Sequence, residues 1–345
     1  MKSVVIGTGT IAQEHLACLS QLEDVHVVGV CDLAAVSAEA AASRFNVPRW
    51  FTNHLQLLDE TRPDVVHVTT PPPTHYDLAV DAIDHGCHAI VEKPITIGAE
   101  QLADLCRRAR AAQRFLIEDQ NYLYNSTFQA LLRHVDDGRL GRVVHAEIVL
   151  CLDLGGAGGR VDDPNLPHPS HGLPGGVAGD FLTHLASLAF VLAGPHRSVH
   201  VVTNPEVAGG GTAPRNLHAF VTAEHATATL LFNCDARPDT FHVRVHGTKM
   251  RAEAHLFEPR LIVERPRGGP RPLTPLINGL GAARGAVGGA LGGLRQKLAP
   301  GPTGGYEGLW ELLRRTYKAL RDGDDPPICM GQIEQVHRLV MDLVK

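Results

Sequence analysis

The opening of the chain constrains its fold more than any other stretch. The β-branched residues 4–6 lead directly into the sequence G-x-G-x-x-A at residues 7–12, and a helical pattern follows at once. In such a strand–turn–helix unit the first glycine permits a tight turn and the second lets the backbone approach a pyrophosphate, which the N–H groups at the helix start can bind. We expect a cofactor to contact the turn residues Gly7, Thr8, Gly9, Thr10 and Ile11.

A carboxylate follows this turn at the distance that a dinucleotide site requires. The next predicted strand, residues 25–31, ends in Asp32, where an acidic side chain can accept hydrogen bonds from ribose hydroxyls. Asp32 would repel a 2′-phosphate, and residues 33–35 include no arginine to neutralise one. The sequence therefore predicts NAD, with NADP the less favoured cofactor.

Predicted strands and helices alternate up to residue 119. Residues 65–69 and 88–91 are apolar runs typical of strands covered on both faces. This alternation predicts an α/β fold with a parallel, doubly wound sheet over 1–120, a Rossmann domain whose ligands bind outside the carboxyl ends of the strands. Four candidate ligand-binding residues fall at those ends: Thr70, Pro71, Glu92 and Lys93.

The second part of the chain, 121–345, has a different pattern. Strand-like segments follow one another there with few helices between them, which predicts an α+β domain with a large, mostly antiparallel sheet. These segments span 142–152, 197–203, 217–223, 227–234, 240–247, 250–257 and 260–264. Residues 265–305 are rich in Gly, Pro and Arg and are predicted to be an irregular insertion, although their leucines keep a helical spacing. A last helix over 331–344 could pack back on the first domain.

Composition excludes several classes of protein. The 345 residues are 44% hydrophobic and 20% charged, as in soluble globular proteins. A net charge of −5 without a long basic run gives no electrostatic footprint for nucleic acid. The seven cysteines are odd in number and include no C-x-x-C pair, which argues against a disulfide framework or a zinc ribbon. Because the first strand follows Met1 closely and no uninterrupted apolar run reaches transmembrane length, we expect a cytoplasmic protein without a transmembrane segment.

Three residues are the main candidates for chemistry. Lys93, at a strand end beside the nucleotide site, can polarise a substrate oxygen, although a surface lysine paired with Glu92 would show the same pattern. Asp180 and His184 lie four residues apart on a predicted helix and hence on one face, where an imidazole can exchange an alcohol proton. The alternative for His184 is an ordinary core or surface histidine.

Two further stretches have less specific patterns. His168 and His171, with Asp162 and Asp163 nearby, could form a metal cluster, but a loop interrupted by prolines is not shaped in advance for ligands. We therefore interpret it as a loop near the substrate and expect no metal. The weakly amphipathic stretch 276–298 could lie on a membrane surface, although its glycines favour a mobile lid or a packing arm.

These motifs together resemble the Gfo/Idh/MocA family of NAD(P)-dependent oxidoreductases. The resemblance covers nearly the whole chain and rests on the opening glycine motif, Asp32, T-P-x-x-x-H at 70–75, E-K-P at 92–94 and G-G-V-A-G-D-F-L-T-H at 175–184. It implies a catalytic lysine at Lys93, a site completed by Asp180 and His184, and a cofactor held by the N-terminal domain. With it we assign two further residues to the cofactor site, His75 and Asn121.

The chain departs from the family pattern at three places. Leu182 stands where the family prefers glycine, Ser187 stands where many members carry aspartate, and no arginine closely follows Tyr122. The implied pocket is less acidic than in typical polyol dehydrogenases, which argues against an inositol-like or simple hexose substrate. The insertion 265–305 is longer than the family core requires and could cap a bulkier substrate.

The resemblance implies an enzyme that moves hydride between nicotinamide and a hydroxyl or keto carbon of a sugar-like substrate, including nucleotide-linked ones. One alternative is an enzyme that uses NAD transiently, oxidising a ring to drive elimination or glycosidic cleavage. A second is a non-catalytic NAD-binding sensor. Because the predicted strands at 227–232 and 241–245 carry apolar residues on both faces, we also expect a homodimer or homotetramer built on the second domain's sheet.

Overall fold

The computed structural model describes residues 1–154, 172–203, 215–265, 273–298 and 306–345. The chain divides into two units, each with its own sheet. Unit 1 joins Met1–Gln120 with Leu309–His337, and unit 2 joins Asn121–Gly308 with Arg338–Lys345.

Unit 1 contains the predicted parallel sheet. Its strands are β1 (Lys2–Ile6), β2 (His26–Cys31), β3 (Trp50–Phe51), β4 (Val65–Val68), β5 (His88–Val91) and β6 (Leu116–Glu118). The intervening helices are α1 (Thr10–Leu19), α2 (Ala35–Phe45), α3 (His54–Thr61), α4 (His75–Asp84) and α5 (Ala99–Ala112). All neighbouring strands are parallel in the order β3-β2-β1-β4-β5-β6, which is the doubly wound order with its switch point between β1 and β4. The α/β prediction is confirmed.

Unit 2 is built around a mostly antiparallel sheet. Its elements are α6 (Ser126–Asp136), β7 (Val143–Asp153), α7 (Gly176–Ala193), β8 (His196–Val202), β9 (Asn216–Ala223), β10 (Thr227–Asn233), β11 (Asp235–Gly247), β12 (Arg251–His255), β13 (Arg260–Glu264) and α8 (Thr274–Leu298). The strand order is β13-β12-β11-β7-β10-β9-β8, and only the β7–β10 pair is parallel among the described strands.

Helix α7 supplies the apolar cover of this sheet. Phe181 stacks on Phe232 of β10 with ring centroids 5.4 Å apart, and the inward residues Ile148 and Leu230 are almost fully buried. By length and composition alone α7 could cross a bilayer, but 78% of its apolar window is buried inside the protein. Burial against the sheet accounts for its apolar character.

The opposite face of the same sheet is mixed in character. Arg244 bonds both Glu147 and Glu253, at 3.0 and 2.7 Å, so much of this face consists of ion pairs. Val149 and Leu231, which pair across β7 and β10, are half-buried on the same face. The apolar alternation predicted for both faces therefore holds only in part, because long polar side chains occupy most outward positions of β7, β11 and β12.

Two further helices close the chain, α9 (Glu307–Asp322) and α10 (Met330–Leu343). From Leu309 to His337 they belong to unit 1. The sequence assigned 121–345 to the second domain and expected only the last helix, 331–344, to pack back on the first. Tyr317 bonds Ser3 at 2.7 Å, and His337 faces the carbonyl oxygen of Thr96 at 3.3 Å. Such long-range contacts carry no local sequence signal.

The prediction that 265–305 is irregular is wrong over 274–298, where the chain forms α8. Its glycines lower helix propensity, but tertiary packing overrides this. A Cβ at Gly285 would lie 2.9 Å from the Leu261 carbonyl oxygen, and one at Gly289 would lie 2.3 Å from that of Pro259. The missing side chains thus let α8 approach the backbone at β13 closely.

Candidate active site

The turn between β1 and α1 has the geometry of a phosphate-binding turn. Gly7 has φ +90°, and a Cβ there would lie 2.8 Å from Thr70 Cγ2 and 2.9 Å from the Thr69 carbonyl oxygen. At Gly9 a Cβ would meet nothing within 4 Å. Among the described residues no side chain caps α1, which begins at Thr10. Its first N–H groups can therefore bind phosphate oxygens.

Asp32 is held in a fixed orientation at the end of β2. Its Oδ2 accepts hydrogen bonds from the Thr8 backbone N–H at 2.8 Å and the Thr8 hydroxyl at 2.9 Å. Its Oδ1 accepts from the Ala34 N–H at 2.9 Å. Asp32 remains half-exposed, so the carboxylate can accept ribose hydroxyls beside the glycine turn.

The loop after β4 is tied to the E-K-P motif by His75. This imidazole is fully buried, with Nδ1 2.9 Å from the Pro94 carbonyl oxygen and Nε2 2.7 Å from that of Thr70. Burial lowers the pKa of His75, and a neutral ring donates to only one of the two carbonyls. His75 therefore positions the loop that carries Thr70 and the exposed Pro71, and its own side chain is not open to a ligand.

Lys93 follows β5 directly and lies among buried carboxyl groups of unit 1. It is half-buried. Burial raises the pKa of Glu118 and of Asp119, and the positive charge of Lys93 opposes both rises; at Glu92 the same charge contributes to a lowered pKa. Glu118 accepts hydrogen bonds from the Ile95 N–H at 2.9 Å and from a neighbouring glutamine amide at 2.8 Å. The lysine is thus part of an ordered charged cluster rather than a surface pair with Glu92 alone.

Two of these carboxyl groups share a proton. Burial, and then the charge of Glu92, raise the pKa of Asp119 well above its usual range. Burial also opposes ionisation of Glu92, but hydrogen bonds from His15 and Asp119, together with the positive charge of Lys93, outweigh burial and lower the pKa of Glu92. Asp119 is therefore the carboxylic acid that donates to the Glu92 carboxylate.

A buried series of hydrogen bonds ends at Glu92. Its members are Ser3, Tyr317, His67, His15 and Glu92, linked in that order at 2.7, 2.7, 2.9 and 3.1 Å. One set of proton positions satisfies every link, with each group donating to the next and both imidazoles neutral. Burial lowers the pKa of His67 strongly, in agreement with a neutral ring.

The nitrogen and oxygen atoms of His15, Glu92 and Asp119 lie within 4.8 Å of one another, a spacing that a metal ion could also produce. The hydrogen bonds that Glu92 accepts from the other two residues already account for this proximity. Sequence reasoning missed this cluster because its members are far apart in the chain.

In unit 2, the start of α7 positions the second group of candidates. Gly175 and Gly176 have positive φ values, and a Cβ at Gly179 would lie 2.0 Å from the Pro174 carbonyl oxygen. The glycines therefore fold the entry loop tightly onto the first turn. Asp180 is half-buried and His184 is 7% exposed, one helical turn apart on the same face.

Tyr122 contributes to this part of unit 2, although the sequence assigned it no role. Its ring meets the ring of His184 edge to face, with centroids 4.7 Å apart, and meets Phe241 at the same distance. The two departures from the family pattern, Leu182 and Ser187, are both buried, and the Ser187 hydroxyl donates to the His184 carbonyl oxygen at 3.0 Å. Neither of these side chains is open to a ligand.

The remaining candidates are distributed as follows. Glycine-turn residues, Asp32 and Lys93 belong to unit 1, whereas Asn121, Asp180 and His184 belong to unit 2. Asn121 is buried, and its Oδ1 has no hydrogen-bond partner among the described residues. The loop with His168, His171, Asp162 and Asp163 lies outside the described residues.

Comparison with known protein families decides the classification. The family described as "Oxidoreductase family, NAD-binding Rossmann fold" matches residues 1–120, and the "GFO/IDH/MocA C-terminal domain" matches residues 128–253. The chain belongs to the Gfo/Idh/MocA family. Residues 1–120 of unit 1 match the family's NAD-binding domain, and the open glycine turn and anchored Asp32 fit that cofactor.

Several relatives in the family act on sugars. The D-glucoside 3-dehydrogenase of Escherichia coli is 31% identical over 145 residues, 41% of each chain. A glycosyl hydrolase family 109 protein of Akkermansia muciniphila is 29% identical over 151 residues, 41% of this chain and 32% of that protein. This chain thus matches less than half the length of these relatives.

The fold extends over the whole chain in solved structures of the family. The WlbA dehydrogenase from Bordetella pertussis, in complex with NADH and UDP-GlcNAcA, has a TM-score of 0.74 at 16% identity, over 99% of this chain and 94% of that one. At this identity the likeness establishes the shared fold.

Proposed function

We propose that this protein is an NAD-dependent oxidoreductase acting on a hydroxyl or keto carbon of a sugar or sugar-like substrate, including nucleotide-linked or otherwise bulky ones. The observation that carries the proposal is Lys93, whose charge acts on three buried carboxyl groups at the carboxyl end of β5 in an NAD-binding domain. Buried clusters of this kind are typical of functional sites.

The protein's part in the reaction is to position the substrate and handle its proton. Bound NAD supplies the hydride acceptor or donor at its nicotinamide ring. Lys93 donates a hydrogen bond to the reacting oxygen and stabilises negative charge that develops on it. His184 exchanges the hydroxyl proton, since imidazole titrates near neutral pH. Asp180 fixes the orientation of these groups.

The cofactor residues proposed are those at the glycine turn and the strand ends. The pyrophosphate would be bound by the glycine-turn residues Gly7, Thr8, Gly9, Thr10 and Ile11. Asp32 would bind the adenosine ribose. The loop after β4 would contact the dinucleotide through Thr70 and Pro71. In this proposal Glu92 orients Lys93, and His75 acts through the loop that it anchors. Asn121, with its buried Oδ1, is the proposed contact from unit 2.

The relatives favour a sugar-like substrate for this protein, and their names are compatible with two kinds of reaction. A glucoside dehydrogenase and a complex with a nucleotide sugar support net oxidation, while the glycosyl hydrolase family 109 relative supports glycosidic cleavage, which we propose would be driven by transient oxidation. A non-catalytic sensor would need only the nucleotide-binding half, so the presence of Lys93, Asp180 and His184 argues against it.

The purified protein should be incubated with NAD and a panel of sugars, glycosides and nucleotide sugars. Absorbance of NADH and the identity of the product are measured together. Net oxidation predicts a keto sugar formed in equal amount with NADH. Cleavage or elimination without net NADH would select the transient mechanism, and binding of NAD without conversion of any substrate would contradict both.

Two properties of the whole protein belong to the same proposal. All seven cysteines are free thiols, which supports a reducing, cytoplasmic location. We also propose a homodimer or homotetramer, supported by the half-buried apolar residues Val149 and Leu231 on the face of the unit 2 sheet opposite α7.

A further inference from the structure

Helix α8 turns its apolar side away from the protein. The face that contacts the backbone near β13 consists of small residues, Gly285 and Gly289 among them. Its large aliphatic residues are instead at least half exposed, at 50–61%: Leu273 just before the helix, then Leu276, Ile277, Leu280, Val287, Leu291 and Leu294. An ordinary surface helix has the reverse arrangement.

These seven side chains form one continuous stripe. At 3.6 residues per turn they fall within an arc of about 100°, centred about 150° away from the two packing glycines. From Leu273 to Leu294 the stripe is about 32 Å long. A contiguous apolar surface of this size marks an interaction site.

The charge of the segment identifies the occupant. Residues 265–305 contain six Lys and Arg and no Asp or Glu, in a chain whose net charge is −5. Arg284 and Arg295 are exposed; Arg295 lies at the border of the stripe nearest Ile277, and Arg284 lies just inside that border. A second copy of α8 would bring two basic helices together without an acidic partner on either, although the seven-residue recurrence of Leu273, Leu280, Val287 and Leu294 suits helix pairing.

We propose that α8 binds the surface of an anionic lipid bilayer. The aliphatic stripe enters the boundary between headgroups and acyl chains, and the arginines contact lipid phosphates. The protein thereby becomes a peripheral membrane protein whose α8 lies in the plane of the bilayer. The inference is independent of the reaction that the enzyme catalyses.

Vesicle flotation of the full-length protein tests this. The vesicles contain either phosphatidylcholine alone or equal parts of phosphatidylcholine and phosphatidylglycerol. We expect wild-type protein to float with the anionic vesicles, and binding to weaken at high salt because the electrostatic attraction is screened. Leu280→Ser combined with Leu291→Ser should weaken binding by roughly tenfold or more. Arg284→Gln combined with Arg295→Gln should weaken it by about fivefold per arginine.

The matched control removes two exposed aliphatic residues elsewhere, Val36→Ser with Leu55→Ser, and should bind as wild type does. Circular dichroism checks that each variant is folded. Failure of wild-type protein to bind anionic vesicles would overturn the proposal. The proposal would also be overturned if the Val36→Ser, Leu55→Ser control lost as much vesicle binding as the Leu280→Ser, Leu291→Ser variant. Self-association that depends on Leu280 and Leu291 in the absence of vesicle binding would assign the stripe to a second copy of the chain instead.

Discussion

Asp32 is the residue whose substitution reports most directly on cofactor choice. Its carboxylate is anchored by Thr8 and Ala34, so it presents a fixed negative charge where the 2′-phosphate of NADP would lie. We expect wild-type protein to bind NADH clearly more tightly than NADPH, and Asp32→Ala to narrow the difference. Calorimetry with both cofactors measures this, with the exposed Asp325→Asn as control. Comparable affinities in wild-type protein would contradict the assignment.

Asp119 makes the stability of the protein depend on pH in a defined direction. Because its pKa is raised by burial and by Glu92, its contribution is present below the unfolded pKa and is lost as pH rises through the folded pKa. Asp119→Asn keeps a donor to Glu92 without a titrating proton. The melting temperature of this variant should therefore rise relative to wild type between about pH 4 and pH 8.

The exposed variant Asp325→Asn should show no such trend with pH. A difference between Asp119→Asn and wild type that stays constant over this range, or that falls, would show that Asp119 is ionised in the folded protein. The lowered pKa of Glu92 has the opposite effect on stability, because it adds stability above the unfolded pKa of that group. Glu92 is present in both wild type and Asp119→Asn, so its contribution does not produce the difference between them.

Residue-level prediction from sequence had a clear limit. The motifs located Lys93 directly after a strand and put Asp180 and His184 on one helix face, as the structure has them. The groups that support Glu92 could not be found in this way, because His67 and Tyr317 bond across 250 positions. Hydrophobic periodicity and local motifs contain no information about such pairs.

At the level of elements, the entry to α7 depends on a close backbone approach. A side chain at Gly179 would collide with the Pro174 carbonyl oxygen at 2.0 Å. Gly179→Ala should lower the free energy of unfolding by about 1–3 kcal/mol. Urea denaturation measures the change, and the matched control is Gly292→Ala in α8, where a Cβ meets nothing within 4 Å.

The control should leave stability unchanged or raise it by up to about 1 kcal/mol, because alanine has the higher helix propensity. Equal stability of Gly179→Ala and wild type would mean that the α7 entry is not tightly packed. The glycines of α8 explain why this helix was not predicted, because glycine has a low helix propensity. Two of them, Gly285 and Gly289, are needed for the close approach of α8 to the backbone at β13.

At the scale of the whole molecule, we expect the protein to self-associate. Light scattering at micromolar concentration should give a dimer or tetramer of the 37.1 kDa chain. Leu231→Glu, on the sheet face opposite α7, should shift the protein toward monomer, whereas Leu55→Glu on α3 should not. A wild-type monomer would refute the prediction. A wild-type oligomer that the Leu231 variant leaves intact would place the interface elsewhere.

The sheets of both units followed from sequence because strand runs and turns are local signals. The sequence allowed the last helix, 331–344, to pack on the first domain, but it did not place α9 in unit 1. A helix's own sequence shows that it has an apolar face and not which sheet covers that face.

The central claim is that Lys93 and His184 act on the substrate oxygen and not on the dinucleotide. The most direct test measures turnover and the Kd for NADH in three variants: Lys93→Ala, His184→Ala and the exposed control Lys318→Ala. The account predicts that kcat falls by about 10²–10⁴-fold in the first two variants, with NADH affinity little changed and the control unaffected. Near-wild-type turnover in either variant, or a loss confined to NADH affinity, would contradict it.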